Sequence, residues 1–488
     1  MLFNSIEFLV FFPLVTVLYF ALPHRFRWIH LLLASCIFYC AFIPVYIFIL
    51  FFTILIDYFA GIWIESASGE RRKLFLTLSI VANVGVLAVF KYYNFFIDNM
   101  DEVLQSLHLN THFPLLSIIL PIGLSFHTFQ AMSYTIEVYR GNYRAERHLG
   151  IYALYVMFYP QLVAGPIERP QNLLPQVREK HYFQYERVTS GLKLMMWGMF
   201  KKVVIADRLA VFVNEVYGKP TTFQGLPLIV ATIFFAIQIY CDFSGYSDIA
   251  IGAARVMGFK LMQNFNRPYF SKTIAEFWQR WHISLSTWFR DYLYISIGGN
   301  RVSKPRLYFN LLFVFLVSGF WHGANWTFVV WGALHGIYLI IGLTTRSWRA
   351  KFNELTGLVR SPELLKVIDI GITFSMVTFA WIFFRASTIQ DAGYILSHLF
   401  ASGHSLKGAI DLYGPQSVLA WFHKKDILII VLSIGLMECV HFIQRRQSPV
   451  ALLSRRPIWF RWAVYYALIM IIVTFGSFEK TQFIYFQF

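Results

Sequence analysis

Ser318-Gly-Phe-Trp-His-Gly-Ala-Asn-Trp326 sets one ionisable group, His322, inside an otherwise apolar run from Leu311 to Leu334. Residues 307–320 supply only about 14 apolar positions, short of the ~20 that cross a bilayer. The spacing therefore predicts a helix that breaks around Gly323 within the membrane, with Asn325 capping the next helix over 326–343. A histidine at that depth is costly unless it serves a purpose or finds a partner. It titrates near neutrality, which suits it to take a proton from a hydroxyl and return it. The small residues Gly319, Gly323 and Ala324 admit close approach of a substrate or a neighbouring helix. The plainer reading is a packing histidine bonded to a nearby carbonyl.

Outward from this stretch the chain is apolar almost throughout. Of 488 residues, 57% are hydrophobic and 14% charged, with mean hydropathy +0.55. Soluble domains carry roughly a quarter charged residues, so a polytopic, all-α membrane protein is expected. No polar stretch is long enough to fold separately, and residues 1–488 read as one membrane domain. The apolar N-terminus, 8–22, lacks a basic leader and a small-residue cleavage site, so it reads as a retained span.

The formal charge of +16 gathers in short loops between spans. Positive-inside orientation and attraction to anionic lipid explain it; nucleic-acid binding has no basic, aromatic-laced soluble module to support it. Cys36, Cys40, Cys241 and Cys439 all lie in apolar stretches, so buried free thiols are expected, with neither a disulfide framework nor a metal site.

Spans are expected at 8–22, 29–42, 46–64, 74–89 and 115–136. The basic loops at 24–27 and 70–73 put the N-terminus outside, and an acidic outer loop holds Asp98, Asp101 and Glu102. From 151 to 199 Gln161, Gly165, Pro166 and Glu168 break the pattern, and a re-entrant or interfacial segment is expected. Lys201 and Lys202 read as lysines snorkelling at a helix end. The apolar stretch 228–239 leads into Asp242-Phe-Ser-Gly-Tyr-Ser-Asp248, whose two carboxylates need partners such as Arg255 or Arg267. Thr273 and Glu276 form a capping box that opens a helix to about Tyr294. Helical spacing sets His282 on its face between Trp278 and Leu285. Further spans follow at 366–384, 427–442 and 459–475, with a large external region over 386–425. The total is about 11 crossings, with the C-terminus outside.

Several of these stretches together carry a family resemblance. Ser318-Gly-Phe-Trp-His-Gly-Ala324 resembles the histidine motif of the membrane-bound O-acyltransferases, most closely the bacterial alginate O-acetyltransferase branch. Pro121-Ile-Gly-Leu-Ser-Phe126, Ala164-Gly-Pro-Ile-Glu-Arg169, Asp242–Asp248, Glu276-Phe-Trp-Gln-Arg-Trp-His-Ile-Ser284, Arg290-Asp-Tyr-Leu-Tyr294 and Gly298-Gly-Asn-Arg301 match it in order. The resemblance covers essentially the whole chain, with a catalytic core at about 121–345. It implies a ring of transmembrane helices around a central tunnel, and it makes His322 the catalytic residue, reached by acyl donor from the cytoplasm and by acceptor from outside.

The same resemblance implies activity for His282, in a supporting role. Trp321, Asn325, Trp278, Trp281, Arg280, Asp242 and Ser244 are expected to line or support the tunnel. His127 and His335 read as packing residues. The terminal Phe483-Ile-Tyr-Phe-Gln-Phe488, within an extracytoplasmic aromatic motif at 482–488, resembles that of systems that pass the acyl group to an outside partner. Tyr485 is then a candidate acyl carrier, or else an interfacial anchor. A phenol with pKa near 10 needs a base to react.

The function so implied is transfer of acetyl from acetyl-CoA, a substrate with no permanently bound cofactor beside it, across a bacterial inner membrane. An exported polysaccharide or peptidoglycan is the final acceptor, through a hydrolase-like acetyltransferase partner outside. The alternatives are a non-catalytic export subunit and a family enzyme acylating a lipid or protein hydroxyl. No internal repeat was found, which counts against transporter folds built from paired halves.

Overall fold

A chain this apolar must satisfy its backbone polar groups internally, and helices do so within a single segment. The computed structural model describes residues 1–109, 111–117, 121–163, 165–401, 424–445, 449–478 and 484, and these are all-α, with no strand among them. Seven helices among them are long and apolar enough to cross a membrane, and Ile6–Ala21 is a shorter apolar one. The protein is a multi-pass membrane protein. The described chain forms two compact units, Met1–Met195 with Ile249–Gln263, and Met196–Asp248 with Asn264–Gln487.

In the first unit α1 (Ile6–Ala21), α2 (His24–Cys40) and α3 (Ile47–Ser66) follow one another. Ser5 starts α1 by accepting the Phe8 N–H at 3.2 Å. Next, α4 (Glu70–Leu87) runs through a π-helical turn (Ala88–Tyr92) into α5 (Tyr93–Ser106). Asp98, Asp101 and Glu102, expected in a loop, therefore stand on a helix. The fifth predicted span is also displaced: residues 115–117 are not helical, and α6 (Leu124–Tyr139) starts after Gly123. Gly123 has φ +77° and its missing Cβ would lie 2.7 Å from the Leu162 carbonyl oxygen, so only glycine fits there.

The buried carboxylate of Asp57 on α3 is satisfied from α4, by Ser79 Oγ at 2.6 Å and Asn83 Nδ2 at 2.9 Å. The interrupted region appears as α7 (Leu149–Met157), α8 (Tyr159–Leu162) and α9 (Pro170–Arg178), all too short to cross. Glu168, between α8 and α9, accepts the Met262 N–H at 2.5 Å, which ties this segment to the chain that follows α12. His127 is buried on α6.

Into the second unit run α10 (Tyr185–Met199), a π-helical turn (Phe200–Ala206) and α11 (Asp207–Gly218). The helix α12 (Leu226–Met257) is longer than expected. Its 32 residues rise about 48 Å, so the Asp242–Asp248 stretch lies mid-helix and does not follow a helix end. The helix expected to run from Thr273 to Tyr294 is broken. Thr273 does cap α13 (Ile274–Arg280), its Oγ1 accepting the Glu276 N–H at 3.1 Å. The chain then turns at His282, and α14 (Ile283–Trp288) and a π-helical turn (Phe289–Tyr294) follow.

Then come α15 (Lys304–His322) and α16 (Trp326–Thr344). The former is longer than the 307–320 reading but stops where expected, with Gly323 as its C-cap. Glycines hold the pair together: a Cβ on Gly319 would lie 2.3 Å from the Phe328 carbonyl oxygen, and one on Gly332 2.3 Å from that of Phe315. The close approach is thus to a neighbouring helix, as small residues allow inside membranes. Next come α17 (Arg346–Leu355), α18 (Pro362–Arg385) and α19 (Ile389–His398), the last two within the stretch read as a span and an external region. Residues 402–423 of that region lie outside the described residues. The spans Lys424–Gln444 and Ile458–Phe475 complete the chain. Cys439, expected to be buried, is exposed on the first of these, on a surface that faces lipid in a membrane.

Candidate active site

His322 ends α15. It is 4% exposed. Trp321, Trp331 and Phe384 stand edge-on around it, with ring centroids 4.9, 5.0 and 5.3 Å away. The three rings close the site around the imidazole. Just beyond it Asn325 does two jobs: its Oδ1 accepts the Thr327 N–H at 2.9 Å as the predicted cap, and its Nδ2 donates to the Ser387 carbonyl at 2.9 Å. Its role here is to hold the loop that carries the break.

His282 is fully buried, but not as a residue on a helix face. Its φ of +43° and ψ of 55° are left-handed, a region that costs a non-glycine residue about 1–2 kcal/mol. The strain is held by Asn264, whose Oδ1 accepts the Ser284 N–H at 3.3 Å and Ser284 Oγ–H at 3.0 Å, and lies 3.0 Å from His282 Nδ1. An N–H can only donate, so the oxygen assignment of Asn264 stands and His282 Nδ1 is the donor. The neutral imidazole then carries its lone pair on Nε2, the nitrogen able to accept a proton or a hydrogen bond.

An aromatic pile joins the two histidines. Phe243 meets the His282 ring at 4.6 Å, Phe265 packs between His282 and Trp281, and Trp281 touches Trp381 at 5.1 Å. From Trp381 the path continues to Trp331 at 5.9 Å, and so to His322. Trp278 donates from Nε1 to Nδ1 of the buried His335 at 3.3 Å, and His335 packs on Trp331 at 4.9 Å. Arg280 is paired with Glu276 at 2.6 Å. The structure thus brings Trp278, Trp281 and Trp321 around the histidines, and leaves Arg280 in a pair at the rim of α13. Tyr485 lies outside the described residues.

The acidic stretch of α12 corrects the sequence reading. Asp242 and Asp248 do pair, though with neither Arg255 nor Arg267. Arg255 donates to Ser190 at 3.1 Å and Arg267 to Asn266 at 3.3 Å. The partners are the two lysines read as snorkelling. Lys202 Nζ lies 2.7 Å from Asp242 and 2.8 Å from Asp207; Lys201 Nζ lies 2.8 Å from Asp248 and donates to Ser244 Oγ at 2.8 Å. Both lysines are buried in the π-helical turn, where a charge persists only with partners. Sequence reasoning missed Asn264, Trp331, Trp381 and the roles of the lysines. The signal for the last was two adjacent lysines set among Phe200, Val203, Val204 and Ile205.

Residues 146–387, which include both histidines, match the membrane-bound O-acyltransferase family, MBOAT. The chain is 39% identical over 408 residues, 83% of this chain and 75% of the other, to the "Probable alginate O-acetylase AlgI" of Pseudomonas aeruginosa. It is 34% identical over 458 residues to the peptidoglycan O-acetyltransferase of Helicobacter pylori, 86% of this chain and 84% of that one. A more distant relative is the teichoic acid D-alanyltransferase of Bacillus subtilis, 26% identical over 298 residues, 57% and 71% of the two chains. These matches bear out the resemblance read from the motifs, and with it the enzyme class: the chain is an O-acyltransferase and belongs to the membrane-bound O-acyltransferase family.

Proposed function

We propose that this protein is an O-acetyltransferase of a bacterial inner membrane, moving acetyl from cytosolic acetyl-CoA to the outer face for attachment to an exported polysaccharide or to peptidoglycan. The observation that carries the reading is His322, buried at a helix terminus and enclosed by three aromatic rings within the family-matched stretch. His322 takes the proton of the accepting hydroxyl as its oxygen attacks the thioester carbon. The new C–O bond replaces the C–S bond, and the proton passes to the departing thiolate, leaving acetyl ester and free CoA thiol. His282, with its lone pair on Nε2, supports the donor or a hydrogen-bond partner of the reacting groups.

In this reading Tyr485 receives the acetyl group first, its phenol activated by His322. A hydrolase-like acetyltransferase outside the membrane then passes it to the polymer. Both termini lie on that outer side. The names of the alginate and peptidoglycan relatives support a polymer acceptor and disfavour both an inert export subunit and a lipid or protein acceptor.

The test is transfer of label from acetyl-CoA to the purified protein and its membranes, with wild type compared against His322→Ala shown to fold and insert. A loss of about 10²–10⁴-fold is expected for a missing general base. Equal transfer by both proteins would remove His322 from the mechanism.

A further inference from the structure

The chain leaving the last span, Ile458–Phe475, is held at three places in the second unit. Arg208 Nη2 donates to the Phe475 carbonyl at 2.8 Å, and the Ser477 N–H donates to the Val203 carbonyl at 2.8 Å. The third is a backbone-to-side-chain bond: the Ile484 N–H donates to Asp242 Oδ2 at 3.0 Å, and Ile484 is itself 1% exposed. Two of the three acceptors or donors belong to the run from the π-helical turn to the start of α11. The third is the carboxylate paired to that turn through Lys202.

We propose that the Lys202–Asp242 pair is the docking point of the C-terminal segment, and that Asp242 is a positioning residue for acyl transfer. Lys202 Nζ holds Oδ1 at 2.7 Å, which leaves Oδ2 turned to the tail. A carboxylate accepts an amide N–H roughly twice as strongly as a neutral oxygen does. The geometry explains why a buried carboxylate sits midway along α12: one oxygen faces Lys202, the other the tail. The docking site also adjoins His282. Tyr240, two residues before Asp242, packs on Trp281, and Phe243, the residue after it, meets His282. The residue after Ile484 in the sequence is Tyr485, the candidate carrier, so undocking Ile484 would release the segment that bears it; this step rests on the relay reading above.

Hydrogen–deuterium exchange of the C-terminal peptide, 477–488, in the purified full chain reads the docking directly, and label from acetyl-CoA on the same preparations reads its consequence. Asp242→Asn keeps the shape but loses the charge. Ile484→Pro removes the donor and leaves the ion pair untouched, so it separates undocking from misfolding. Both variants are expected to speed exchange in that peptide at least tenfold, leave exchange in α15 and α16 unchanged, and lower label on the chain at least tenfold. Tyr485→Phe is expected to keep the tail protected and lose the label. Unchanged tail exchange in both docking variants would overturn the docking. Released tails with wild-type labelling would overturn the positioning role. Full labelling and full polymer transfer by Tyr485→Phe, with the tail still released by Asp242→Asn, would sink the relay and leave the docking supported.

Discussion

Asn264 Oδ1 stands 3.0 Å from His282 Nδ1 and also takes the backbone and hydroxyl protons of Ser284. One amide oxygen thus sets both the tautomer of the histidine and the turn that carries it. Asn264 Nδ2 is in turn held by Ser247 Oγ on α12 at 3.2 Å.

Replacing Asn264 separates these duties. Asn264→Leu removes the acceptor, frees the imidazole to take the other tautomer, and is expected to lower acyl transfer by about 10-fold or more, within the range of a lost acid–base contribution. Asn264→Asp retains an acceptor oxygen and is expected to recover part of that loss. Transfer rates measured on folded, detergent-solubilised variants decide it; equal rates for Leu, Asp and wild type would mean that the tautomer is irrelevant.

The left-handed backbone at His282 gives a stability prediction independent of chemistry. Glycine reaches φ +43° freely and alanine does not, so His282→Gly should exceed His282→Ala in stability by about 1 kcal/mol. Thermal midpoints of the two variants measure this, and the reverse order would show that the turn relaxes.

Lys202 stands between two buried carboxylates. Lys202→Met leaves Asp207 and Asp242 without their cation, and breaking such a buried pair costs about 3–5 kcal/mol. The variant is expected to unfold at markedly lower temperature or fail to accumulate. Adding Asp207→Asn and Asp242→Asn should restore part of the loss, and no recovery in the triple variant would show that the lysine matters for packing alone.

Gly319 meets α16 too closely for any side chain. Gly319→Ala forces the Phe328 backbone away and is expected to cost about 1–3 kcal/mol as an overpacked contact. Because that shift moves the helix end bearing His322, transfer should fall with stability. Gly342→Ala, where a Cβ meets open space on the same helix α16, serves as the control expected to change neither.

His181, in the connection between α9 and α10, is held below the ordinary histidine range, first by burial and opposed by its bond to the Gln176 carbonyl. The unfolded chain therefore binds this proton more readily. Its contribution to stability is present above the unfolded pKa near 6.5 and is lost as pH falls toward the folded value. Between pH 7 and pH 5 the thermal midpoint of wild type should drop relative to His181→Gln, and parallel curves would show that this site is silent.

Composition and periodicity alone determined a great deal. Helices as the only structure, the membrane as their solvent, the stop after His322 and the caps at Thr273 and Asn325 all follow from local chemistry. Those features depend on neighbours within a turn or two, so a linear reading finds them. The seven ordered motifs likewise carried the family, since each is a short contiguous string.

Tertiary structure decided what distance along the chain conceals. Asn264 reaches His282 from 18 positions away, and the resulting turn ends the helix capped by Thr273 at Arg280, short of the expected Tyr294. Lys202 meets Asp242 from 40 positions before it, and Ile484 meets the same carboxylate from 242 positions after it. Charges inside a membrane take whichever partner folding brings near, because leaving them bare costs more than any local preference supplies. Local pattern therefore pointed to the two histidines and the acidic stretch of α12, while long-range pairing chose their partners and brought in Asn264, Trp331 and Trp381.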